Sequence, residues 1–358
     1  MNIEKSLQKD GIIVTEKVPT DIVLNITNNI SKKIASTFPN FNLKPSEIFA
    51  KLFSLNMYKA QMPEGMQEAS YCYKNSSIYF NSNIANEDLE EFAIHECLHF
   101  LQEIRDENNN ITKMGLANYT KSKVTGTGLN EACVQYLSSK LIGIEPDFEK
   151  YYNINIYTPS PSYYPVECAL LNELVFFIGE EKLFQSTYFS TDEFKDEVIK
   201  YTSEKFYKYI ISSFDKILKL EEKIISLNNK KTEKSQLKIE KYRYLIKTTF
   251  FEIQDLIIKR FFDFEFNQIT NLEQLENYRR KITSFDKYIG HSENYTFFND
   301  YLTEIMNKLE HKSNILENGG LETAPVAKAF SVNEIFIKIK NLLYKKFNHT
   351  KSEVWGQM

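Results

Sequence analysis

Tryptophan occurs once in these 358 residues, glycine eleven times and proline nine times. So few chain-breaking residues argue against a turn-rich β sandwich and favour long helices. Cysteine is scarce as well: Cys72, Cys97, Cys133 and Cys168 are scattered, and Cys97 and Cys133 fall inside predicted helices, so no disulfide framework is implied. Neither sign of charge dominates, because 44 lysines and arginines face 48 aspartates and glutamates, for a net charge of −4. That balance leaves no basic footprint for nucleic acid or an acidic membrane surface. No run approaches the roughly 18–20 apolar residues that span a bilayer, and the opening residues lack an apolar stretch of signal-peptide length. A cytoplasmic protein with reduced thiols and no membrane span is expected.

What the chain does have is apolar surface. Hydrophobic residues make up 42% of it, with 27 Phe and 22 Tyr, enough to bury one sizeable core or two modest ones. Ile22, Val23, Ile26, Ile30 and Ile34 recur at steps of one, three and four, predicting an amphipathic helix from Thr20 to about Thr37, and a second helix follows Pro45. The period then shortens. Glu68–Tyr73 and Ser77–Phe80 flank Lys74-Asn75-Ser76 and read as two short strands joined by a tight turn, the one convincing β signal.

Asn86 is a good N-cap for a helix from about Glu87 to Asp106, with Glu87, Asp88, Glu90 and Glu91 set against the positive end of its dipole. A loop continues through Gly115 to Gly128, and periodicity resumes at Leu129, Ala132, Val134 and Leu137. Pro165 opens another helix, closed by Gly179. Past Asp192 the texture changes to long Lys/Glu-rich helices, two of them antiparallel around Asn228-Asn229. Shorter helices are expected at Leu272–Ile282 and Phe297–Leu309, then a loop at Gly319-Gly320 and a last helix at Val332–Phe347. The expected fold is α+β and predominantly helical, with residues 1–191 as one region and 192–358 as a helical bundle or hairpin.

Within the helix from Glu87 stands His95-Glu96-Cys97-Leu98-His99, an HExxH sequence on the secondary structure that its chemistry requires. Four residues advance about one helical turn, so both imidazoles project from one face and can reach one Zn²⁺ at roughly 2.0–2.1 Å. Glu96 is placed to accept a proton from a water that the metal activates. Cys97 lies about 200° around the helix from His95 and faces the core. A catalytic zinc needs a third protein ligand, and Phe100–Arg105 lack the Gly and third His of the metzincin extension. The next helix instead carries Leu129-Asn130-Glu131-Ala132, one carboxylate among small and apolar neighbours. Glu131 either complements the helix dipole or meets a cation.

HExxH followed by a separate helix with Leu-Asn-Glu-Ala resembles the gluzincin zinc peptidases, which include thermolysin-like and aminopeptidase N-type enzymes. The resemblance spans about residues 68–179. It implies a zincin-like catalytic region, Zn²⁺ on His95, His99 and Glu131, Glu96 as general base and a peptide or protein as substrate. It further implies that Ala69–Tyr73 is an edge strand that binds substrate backbone, where ordinary hairpin packing is the other reading. The oxyanion donor in such enzymes is often a Tyr or His outside the zinc motifs; Tyr119, Tyr163, Tyr164 and His291 are candidates, and Tyr164 is favoured because it sits where a loop enters the next helix. Three departures stand out. The 32-residue spacing from His99 to Glu131 is longer than in either familiar branch, no Gly-x-Met-Glu-Asn run is present, and Gln135 occupies the place of the Asp that orients a zinc-bound His in thermolysin-like enzymes. Zinc-dependent peptide hydrolysis is the first expectation. The alternative is a metal-stabilised protein with weak or no turnover whose C-terminal helices engage a protein partner.

Overall fold

A computed structural model describes residues 7–8, 11–63, 68–228, 230, 232–292 and 295–317. Strand β1 (Ile13–Lys17) leads into helix α1 (Thr20–Thr37), which buries Val23, Ile26, Ile30 and Ile34 at the expected spacing. Helix α2 (Pro45–Leu52) carries its proline in the first turn, where a missing N–H costs nothing. Strands β2 (Asn56–Gln61), β3 (Ala69–Cys72) and β4 (Ser77–Asn81) join β1 in a sheet of order β1-β2-β4-β3. The β2–β4 pair is parallel and the other two are antiparallel. The expected β3–β4 hairpin is present, and β3 is an edge strand. Two more strands belong to the sheet than the sequence suggested; β1 is exposed at every position and so carries no burial pattern to read.

Helix α3 (Leu89–Leu101) is shorter at both ends than expected. A turn closed by the Asp88 amide on the Ala85 carbonyl precedes it, so Asn86 is not its cap. It stops because Glu103–Arg105 leave the helix as strand β5 and pair with β6 (Ile111–Met114). With β7 (Ala117–Tyr119) and β8 (Val124–Thr125) these form a meander where a loop was expected. Strands of two to four residues are too short to show a period of two. The meander is tied down at Leu116, whose amide donates to the Asn130 side chain at 3.0 Å.

Helix α4 (Thr127–Ile142) is followed by the hairpin β9 (Asp147–Tyr151) and β10 (Ile154–Thr158), then by α5 (Pro165–Ile178), capped at Gly179 as expected. Helices α6 (Glu180–Tyr188) and α7 (Glu193–Tyr201) lead to the long pair α8 (Glu204–Asn228) and α9 (Glu233–Asn267), which pack along one another. Helices α10 (Leu272–Ser284) and α11 (Phe297–Glu317) complete the described chain. The expected Gly319-Gly320 loop and Val332–Phe347 helix lie outside the described residues. The fold is α+β and mostly helical. Among the described residues no helix is long and apolar enough to cross a membrane.

Two apolar cores meet at α4. The smaller, from Val18 to Phe184, holds the sheet, α1, α2 and α3 and takes Val134 and Leu137 from α4. The larger runs from Leu116 to Leu309, across the compositional change near residue 192, and takes Leu129, Ala132 and Cys133. Buried on opposite sides, α4 shows little amphipathic contrast. Its start is fixed by α8: Asp215 accepts the Gly126 and Gly128 amides at 3.0 and 2.9 Å, supplying acceptors for the orphan donors of a helix N-terminus. Gly126 has φ +83°, and a Cβ on Gly128 would lie 2.4 Å from the Phe214 carbonyl oxygen. The two helices cross backbone to backbone, at a distance only glycine permits. Gly128→Ala is therefore expected to lower unfolding free energy by about 2 kcal/mol, as overpacked sites do; urea denaturation measures it, and an unchanged midpoint would show that the crossing can relax.

Candidate metal centre

Helix α3 presents His95 and His99 one turn apart toward α4, and Glu131 reaches back from the second turn of α4. His95 Nε2 and His99 Nε2 are 3.0 Å apart, and each is 3.3 Å from Glu131 Oε2. A tetrahedral ion bound at 2.0–2.1 Å has ligand atoms about 3.3–3.4 Å apart, so this nearly equilateral triangle has the dimensions of one face of such a site. Among the described residues it is the group of His, Cys, Asp and Glu side chains that could hold a metal ion. The sequence-predicted ligands are thus brought together, and the carboxylate that could have served only the helix dipole is turned onto both imidazoles.

The neighbours prepare these donors. His95 Nδ1–H donates to Gln135 Oε1 at 2.9 Å, which fixes the tautomer with the Nε2 lone pair facing His99 and Glu131. Gln135 is held in turn by Ser160 and Ser139, whose hydroxyls accept its amide N–H groups at 3.0 and 3.3 Å. Glu96 is buried beside the triangle without joining it and lines the same cleft; its Oε2 accepts the Tyr71 amide at 2.7 Å. Burial disfavours the His99 imidazolium, yet the Glu131 carboxylate overrides it and raises the pKa to about 9. Burial likewise opposes ionisation of Glu131, and His99 and His95 nonetheless hold its carboxyl well below the usual range.

These donors open on a cleft lined by Ser70, Tyr71 and Tyr73 of the edge-strand side, by Met114 and Tyr119 of the meander, and by Leu218 and Glu222 of α8. Tyr164 lines the same cleft, with its ring stacked on His95 at a centroid distance of 6.1 Å and an interplanar angle of 23°. Its backbone is left-handed, φ +48°, an uncommon state for a bulky residue and a cost that the surrounding structure must sustain. Of the other oxyanion candidates, Tyr119 is in this cleft, its pKa pushed up to about 12 by burial and by Glu131. Tyr163 lines the adjoining pocket. His291 is elsewhere: its backbone pairs with Asn155, and it lines a separate cavity with Lys150 and Lys247. That candidate is withdrawn. Cys97 is fully buried, as its position on the helix required, and all four cysteines are free thiols.

Sequence reasoning did not find Leu218 and Glu222, because on a Lys/Glu-rich helix they look like any other outer-face positions. Comparison of the chain with models of protein families, with curated proteins and with solved structures finds no match.

The proton that His99 holds below about pH 9 competes with a metal for the same nitrogen. Metal affinity is accordingly expected to rise about tenfold per pH unit up to pH 9 and then to level off, with roughly one proton released per ion at pH 7.5. Calorimetric titration in buffers of different ionisation enthalpy measures both, and an affinity that is flat from pH 6 to 8 would contradict it. Gln135→Leu removes the acceptor that orients His95 and is expected to weaken metal binding by about 10–100-fold; competition with a chelator of known affinity reads the change.

Proposed function

We propose that the chain is a zinc-dependent peptidase of zincin-like type. The observation that carries the reading is the division of labour on one helical turn: His95 and His99 join Glu131, while Glu96, between them in sequence, is buried beside the triangle on the same cleft without joining it. Two imidazoles and one carboxylate suit Zn²⁺, and an open cleft beside them is what a catalytic site needs, where a structural zinc takes a fourth side chain. Zinc bound there would supply Lewis acidity, polarising a carbonyl and bringing the pKa of water toward neutrality.

The residues of the chain do the rest. Glu96 accepts the proton of the attacking water and passes it to the departing amine nitrogen. Tyr164, anchored against His95, donates its hydroxyl proton in a hydrogen bond to the carbonyl oxygen as negative charge develops there. Strand β3 is the edge along which an extended peptide would lie, paired through main-chain hydrogen bonds. Tyr71 is the residue at its centre, because its amide already faces the cleft and not β4. Leu218 and Glu222 close the opposite wall, so helix α8 belongs to the site.

Glu96→Gln is expected to retain about one zinc per chain while peptide hydrolysis falls by about 10²–10⁴-fold. Tyr164→Phe should lower kcat by about 10²-fold with KM little changed. Elemental analysis beside a quenched-peptide assay tests both; hydrolysis undiminished in Glu96→Gln would refute the reading.

A further inference from the structure

A second hollow shares His95, Glu96 and Tyr164 with the metal cleft and offers about 600 Å³ of free space, its open mouth included. One part of its wall is apolar, with Ala69 from β3, Phe92 from α3, Ile142 at the end of α4, and Ile144, while Gln135, Ser138, Ser160 and Ser162 supply neutral polar groups elsewhere on the lining. Besides Glu96, two carboxylates stand on its lining, Glu68, half-buried, and Glu91, exposed. They converge on one side chain. Tyr163 lines the same hollow, and its hydroxyl is held protonated by burial first and by the nearby Glu68 and Glu91 carboxylates second. No lysine or arginine is among the described residues lining either hollow. Neither Glu68 nor Glu91 forms an ion pair among the described residues. Nor do they converge as metal donors, a role that falls to His95, His99 and Glu131.

An apolar face beside carboxylates that carry no ion pair among the described residues, next to strand β3, fits one kind of side chain. We propose that this hollow receives a lysine or arginine side chain of an extended peptide, and that the substrates of the site are basic peptides. The aliphatic stem lies on Phe92, Ile142 and Ile144, and the cationic head meets Glu68 and Glu91. A norleucine side chain would cover the same wall and leave both carboxylates unanswered. An acidic side chain would be repelled by them, and by Glu222 across the cleft. A peptide α-amine offers the charge but no stem to cover the wall. The inference rests on the hydrolytic reading for its use, and its test fails separately from that reading.

The test is peptide binding to zinc-loaded full-length Glu96→Gln, followed by fluorescence anisotropy. The probes are dye-labelled decapeptides with both ends blocked, identical except for lysine, arginine, norleucine or glutamate at one central position. Lysine and arginine peptides are expected to bind about tenfold more tightly than the norleucine peptide, and the glutamate peptide more weakly still. In the added Glu68→Gln/Glu91→Gln background the lysine-to-norleucine ratio should approach one, and Glu91→Lys should shift preference toward glutamate. Equal binding of lysine and norleucine peptides, or a ratio that the double substitution leaves unaltered, would overturn the proposal. So would a norleucine peptide with a free α-amine that binds as tightly as the blocked lysine peptide, since the carboxylates would then be reading a chain terminus. Cleavage of the same peptides by the parent protein is read independently: no hydrolysis with selective binding rejects the peptidase and keeps the basic-peptide site, and hydrolysis without selectivity does the reverse.

Discussion

A carboxylate taken out of water must be answered by positive charge, and the placement of Glu131 meets that demand at the meeting point of two helices. Its oxygen stands 3.3 Å from both imidazoles of α3, which brings those imidazoles within 3.0 Å of each other. Such close nitrogens are tolerable only if a proton or a metal ion sits among them. The crossing of α3 and α4 is thereby under electrostatic as well as apolar control. Cys97 and Val134 pack in the smaller core behind it while Leu129 and Ala132 enter the larger one. The helix that carries the carboxylate is clamped between the two cores.

The cleft shows how little freedom its components have. The Tyr71 amide is taken by Glu96, and its hydroxyl donates to Glu103 at 2.6 Å. Arg105 bonds to Glu103 and, through Nη2, to the Tyr73 carbonyl at 2.8 Å. The edge strand is therefore fastened to the helix on one side and to the meander on the other, and the Tyr71 amide and the neighbouring Tyr73 carbonyl already have local partners that a strand added at this edge would have to share or displace. Such an edge is preorganised, since a strand fixed before any binding costs less ordering entropy than one fixed during it.

Much of the site was legible because it obeys helical periodicity. His95 and His99 share a face by their spacing, Gln135 is one turn beyond Glu131, and Tyr164 precedes the proline that opens α5. Helices α1 and α5 could be bounded from proline, glycine and apolar spacing. The meander and strands β1 and β2 could not, because short strands held by long-range hydrogen bonds carry almost no local pattern. Glu222, Glu68 and Glu91 were equally hidden. Each is an acidic residue on a surface rich in acids, and only the convergence of distant segments brings it onto a cavity wall. His291 shows the opposite error, in which residue type suggested a part that its position rules out.

The capping of α4 by Asp215 has a consequence for how the chain acquires its site. The bond from the Gly126 amide spans 89 residues of sequence, and closing so large a loop is entropically slow compared with forming either helix alone. The segment with His95 and His99 can coil early, but Glu131, the third member of the triad, stands on a helix whose first turn is completed from the far half of the chain. A nascent chain released before α8 emerges would offer two imidazoles without their carboxylate, a weak and unselective metal trap. Completion of the triad is in that sense conferred late in synthesis, by a stretch of sequence containing none of its three residues.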